Sequence, residues 1–139
     1  MRTMLSTHPH AGADTEARAD AAEALSVCAE YCAACADACL AEDRVADLRR
    51  CIRLDLDCAD LCSSAARIVA RQTEGDTSAL SSLLAACIEA CERCAEECES
   101  HADHHAHCRG CALACRRCAD ACRSMLEAVL LDAEIQPQA

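Results

Sequence analysis

A chain of 139 residues with a net charge of −11 is long enough for one domain with its own core, and its acidity argues against nucleic acid and anionic membranes as partners. Sixteen cysteines against one tyrosine and no Phe or Trp exclude an aromatic core, so Leu, Ile, Val, Ala and Cys must build it. Three glycines and two prolines leave few turn signals for short strands, and the Ala-, Glu- and Arg-bearing stretches between cysteines favour helix.

Residues 1–13, with His8, Pro9 and His10, read as a flexible N-terminal tail ahead of a domain over 14–135. The first residues lack the apolar run of a signal peptide, and no segment approaches the ~20 apolar residues of a membrane helix. The expected compartment is the cytoplasm, where thiols stay reduced. Asp14 or Thr15 caps a first helix running to about Ala41, with Cys28, Cys32, Cys35 and Cys39 spaced 4-3-4. Glu42 and Asp43 form a turn. A second helix then extends to about Gln72 with Cys51, Cys58 and Cys62, and Asp55 stands at the step the thiol pattern skips. Thr73–Ser78 is the clearest break, with Gly75 at the end of one helix and capping residues before the next. A third helix, from about Ser78 to His101, repeats the 4-3-4 spacing with Cys87, Cys91, Cys94 and Cys98. The fourth runs from about His104 to Glu134, ahead of Pro137, and carries Cys108, Cys111, Cys115, Cys118 and Cys122. Short connections make neighbours antiparallel, so the predicted fold is an all-α, up-down-up-down four-helix bundle.

The 4-3-4 spacing is the a/d stripe that faces a bundle core. A single buried cysteine is ordinarily a small hydrophobe. Sixteen in phase on four helices replace the leucines of a core and give up roughly 25 cal/mol per Å² of apolar burial at each site, which a bound metal would offset. Disulfides are disfavoured in a reducing compartment, and cysteines at i and i+4 of one helix cannot close without breaking it. Soft thiolates suit Cu(I), Zn(II) or iron–sulfur clusters. Continuous helices offer no free amides to a cluster. Zinc in four-thiolate sites carries −2 per ion, which is costly in a dry core. Cu(I) accepts two or three thiolates and shares them, so one ion per thiolate is close to neutral. Multiple Cu(I) ions per chain are the expected cargo, with a zinc-buffering, metallothionein-like protein as the alternative. A redox enzyme would need an exposed, low-pKa thiol beside a base, and a metal-responsive regulator would need a DNA-binding surface; neither pattern is present.

Antiparallel helices place the turns at Glu42 and Asp103 at one end and Gly75 at the other. Toward the Gly75 end the stripes continue as Leu25, Ile68, Val69, Leu80, Leu83, Leu84, Met125 and Val129, an expected hydrophobic plug. The opposite end carries His101, His104, His105 and His107 beside Cys98 and Cys108. His107 and His104, then His101, are the expected assisting ligands at this mouth, because neutral imidazole binds Cu(I) and can pass it inward. Asp55, in a core register, either takes a metal, histidine or thiol as partner or escapes to a groove on a slightly rotated helix. Leu48, Ile52 and Leu56 form a second apolar stripe that fits either an oligomer interface or packing within the chain.

With Cys-x-x-x-Cys-x-x-Cys-x-x-x-Cys on the first and third helices and its extended form on the fourth, residues 15–133 resemble the bacterial copper storage proteins, most closely their cytosolic branch. That resemblance implies a homotetramer of four-helix bundles. It also implies Cu(I) held by cysteine pairs and thiolate-bridged clusters, with entry at a histidine-bearing end. The sixteen in-register cysteines are then the ligands, and a copper chaperone is the candidate donor.

Overall fold

The computed structural model describes residues 1–135 and contains no strand among them. Its elements are α1 (Arg2–Ser6), α2 (Thr15–Leu40), a 3-10 turn (Val45–Leu48), α3 (Arg49–Val69), α4 (Thr77–His101) and α5 (Ala106–Ile135). Pro137 lies outside the described residues. Helices α2 to α5 form the bundle. Each packs on two neighbours, α2 and α4 both lying against α3 and α5, so the four enclose a single axial core. The 26 residues of α2 span about 39 Å at 1.5 Å per residue.

The helix ends explain how the register is held. Asp76 caps α4, its Oδ1 accepting from the Ala79 N–H at 3.0 Å. The side chain of Asp14, expected to cap α2, accepts no backbone hydrogen bond; its Oδ2 pairs instead with Arg18 Nη2 at 2.8 Å. The buried Arg18 donates through Nη1 to the Val69 and Arg71 carbonyls at 2.7 and 3.2 Å. Val69 ends α3 and Arg71 lies two residues beyond it, where no intrahelical donor remains. One guanidinium thus ties the start of α2 to the end of α3. In the break that follows, the residue with positive φ is Glu74 (51°) rather than Gly75, so the glycine marks the connection without forming the turn of the chain.

The end near Gly75 is closed by apolar side chains. Leu25, Val69, Leu84, Met125 and Val129 are buried, and Leu80 and Leu83 pack against them. Ile68 is exposed, because one residue of helix turns it about 100° away from Val69 (360° over 3.6 residues). The segment ahead of Thr15 carries a short helix that docks at this end. Leu5 is 3 % exposed, Gln72 Nε2 donates to its carbonyl at 3.1 Å, and Arg2 pairs with Glu16 and Asp20. Of the second apolar stripe, Leu48 at the end of the 3-10 turn is buried in the chain's own core and Ile52 packs beside it, leaving only Leu56 exposed.

Candidate metal centre

All sixteen cysteines are free and buried, none more than 2 % exposed. They line the axis of the bundle in a continuous column. Cys28 Sγ lies 3.9 Å from Cys32, Cys58 and Cys91 and 3.8 Å from Cys115. Cys62 lies 3.7 Å from Cys91, Cys32 lies 3.6 Å from Cys115, and Cys51 lies 3.6 Å from Cys98. These separations are far beyond a disulfide bond of ~2.05 Å. They resemble the roughly 3.8 Å between sulfurs arranged tetrahedrally about an ion at ~2.3 Å, so distance alone admits several soft metals.

Sharing of ligands narrows the choice. Cys28, Cys58, Cys62 and Cys91 form one group within reach of a single ion; Cys28, Cys32, Cys58 and Cys115 form a second. A third combines Cys32, Cys94, Cys111 and Cys115. Cys28 and Cys58 belong to the first two, and Cys32 and Cys115 to the second and third, so separate four-thiolate zinc sites could not all fill. Thiolates that bridge ions fill such a column, and bridging keeps the buried charge near zero when each ion carries +1.

Asp55 interrupts the column and is part of it. Wholly buried, its Oδ1 accepts from the Cys94, Cys111 and Cys98 thiols at 3.0, 3.3 and 3.7 Å, and Oδ2 accepts from Cys51 at 3.9 Å. It groups with Cys35, Cys98 and Cys111 as a further set of metal-binding atoms. Burial pushes its pKa up to about 8.

At the mouth the four histidines separate. His107 Nδ1 sits 3.4 Å from Cys35 Sγ and 3.7 Å from Cys108 Sγ, and the ring joins Cys35, Cys39 and Cys108 in a four-atom group. Burial pushes the Cys39 and Cys108 thiols up, Cys108 to about 12, so before metal arrives they are neutral. His101 stands behind this group with Nε2 2.8 Å from Glu97 Oε2. His104 is exposed on the rim of an open cleft of about 460 Å³ that Glu42, Asp43, Asp47, His101 and His105 also line. Its expected inward phase assumed a helix beginning at 104, whereas α5 begins at Ala106 and His104 lies in the preceding turn. His105, not singled out from the sequence, lies between His101 and His107, with ring centroids 6.5 and 5.4 Å away, and its Nδ1 is 2.6 Å from Glu42 Oε2. Glu42 is the other residue that sequence reasoning placed only in a turn.

A four-helix bundle whose core consists of shared thiols, with a histidine cluster at one end and leucines at the other, defines a protein that holds soft metal ions in quantity. The family model of copper storage proteins matches residues 14–127, and the chain belongs to that family. No curated protein matches. Among solved structures, the copper storage protein Ccsp from Streptomyces lividans loaded with 10 copper equivalents is 46 % identical, with TM-score 0.88, over 91 % of this chain and 97 % of that one. The cytosolic Streptomyces lividans protein carrying five coppers is 48 % identical, with TM-score 0.81, over 82 % and 95 %. A variant of Ccsp with one histidine changed to alanine is 47 % identical, with TM-score 0.83, over 85 % and 98 %.

Proposed function

We propose that this copper storage protein works in the cytosol, takes up many Cu(I) ions through its histidine-bearing mouth and keeps them as bridged thiolate clusters. The observation that carries the reading is the overlap of the metal-binding groups: sixteen buried thiols, with neighbouring groups sharing members, have capacity where separate sites would have only a few places. The sixteen cysteines are the proposed ligands. Asp55 assists in the middle of the column and His107 at its entry, both supported by their distances to thiols. His101 and the exposed His104 are proposed to bind incoming copper only in passing. The similar Streptomyces lividans proteins, one cytosolic and one loaded with 10 copper equivalents, support both the compartment and the capacity. Catalysis finds no support in the thiols, because none is exposed as a nucleophile must be. A homotetramer fed by a copper chaperone completes the reading. Exposed Val27, Tyr31, Leu56 and Leu113 give it apolar surface to bury, and light scattering on the reduced protein measures the assembly.

Anaerobic titration with Cu(I) against a chromogenic chelator tests the central claim. Uptake should continue to a number of ions comparable with the sixteen thiols. Saturation at one or two ions per chain would overturn storage.

A further inference from the structure

His107 has one ring nitrogen in use and one without a partner. Nδ1 faces Cys35 and Cys108, while the buried Nε2 has no hydrogen-bond partner. The carboxylate facing that nitrogen is Glu42, whose Oε1 is 3.9 Å away and whose Oε2 is 2.6 Å from His105 Nδ1. Glu42 follows α2 in the turn before the 3-10 segment, and its backbone N–H donates to the Cys39 carbonyl at 3.2 Å. It is therefore anchored to a thiol residue of the entry group and held by one histidine while it faces another.

A neutral imidazole carries a single N–H. If Nδ1 is to offer its lone pair to an ion between Cys35 and Cys108, the proton must sit on Nε2, and ligating histidines ordinarily donate that proton to a carboxylate or carbonyl. We propose that Glu42 is a positioning residue for copper entry, fixing His107 with its proton on Nε2 and its Nδ1 lone pair toward the first thiols. Closing the 3.9 Å gap to an ordinary hydrogen bond of ~2.9 Å needs a movement of about 1 Å, within the range of a half-exposed glutamate in a turn. The carboxylate then serves two rings at once: His105 holds it at the mouth, and it selects the tautomer of His107. This role rests on the storage reading for its purpose, and on the mouth geometry alone for its existence.

The test is long-range ¹H–¹⁵N correlation on the labelled, reduced apo-protein, followed by rapid mixing with a Cu(I)–chelator complex. The wild type should show His107 protonated on Nε2. Glu42→Leu should give mixed tautomers and slow the first phase of uptake about tenfold, the lower range for loss of such a supporting carboxylate, while the final number of ions stays that of the wild type. Glu42→Gln, which keeps an acceptor oxygen, should restore most of both. A wild-type His107 protonated on Nδ1 would overturn the proposal without any variant. So would a Glu42→Leu protein whose tautomer is unchanged, whatever its uptake, since Glu42 would then only brace the turn. If the wild type takes up no Cu(I), storage fails while the tautomer measurement still judges Glu42.

Discussion

Asp55 occupies a place where the pattern of α3 calls for a thiol, and four cysteines from three helices, Cys51, Cys94, Cys98 and Cys111, surround its carboxyl. Unfolded, the group ionises near 3.8; folded, its pKa is raised to about 8. Between those values the folded apo-protein keeps a proton that the unfolded chain has lost. Its contribution is therefore full at low pH and declines as pH rises from about 4 to about 8, by up to several kcal/mol at ~1.4 kcal/mol per pKa unit. Denaturation of reduced apo-protein should show stability falling more steeply with pH in the wild type than in Asp55→Asn, whose amide has no such proton. Parallel slopes would place the carboxylate in water. The register put Asp55 on the inner face of its helix, because the 3.6-residue repeat fixes that face, yet a small rotation to a groove stayed open until its burial decided it. Its thiol partners on α4 and α5 were not legible, since rotation and stagger between helices set which heights meet. The histidines show the same limit more sharply. His107, next to Cys108, was legible as a mouth residue; the pairing of His105 with Glu42 was not, because it depends on two turns meeting across the mouth.

At the scale of elements, the four long helices and their cysteine faces followed from spacing alone, and the connections did not. Helix α5 starts two residues later than the periodicity suggested, which is enough to move His104 from the inner stripe to the rim. The N-terminal residues, polar and with a single proline, gave no periodic signal, yet one leucine and a bridging arginine suffice to dock α1 on the closed end. Arg18 was equally silent, since nothing in a sequence announces that a guanidinium caps a different helix. Replacing it with Ala would leave the Val69 and Arg71 carbonyls without their donor in a site that water reaches poorly. A loss of about 2–4 kcal/mol is expected from one such buried charged network, read as a lowered midpoint in urea for reduced apo-protein. Copper capacity should be unchanged, because Arg18 acts at the stoppered end. A variant as stable as the wild type would show the end of α3 to be satisfied by solvent.

The molecule as a whole exchanges protons for copper. Buried thiols at the entry are held neutral, Cys108 up to about 12, and a column of sixteen thiolates without metal would be an intolerable charge in a dry core. Each Cu(I) that enters must therefore displace a proton from the sulfur it binds. If bridging keeps the core neutral, total proton release should approach about one per Cu(I) at saturation, measured in weak buffer near neutral pH from loading with a Cu(I) complex whose own protonation is known. Zinc bound on the same principle would release about two per ion, and isolated four-thiolate zinc sites about four. Early in the titration the ratio can exceed one, since the first ions find two thiols each and no second metal to share them. It should fall toward one as bridges form, and the midpoint of thermal unfolding should rise over the same range, because metal bound only by the folded state stabilises it. A copper ratio that stays near two to the end would mean pairs of thiolates carrying one ion each and a core left negative. The overlapping groups around Cys28, Cys32, Cys58 and Cys115 would then be an accident of packing rather than the basis of capacity.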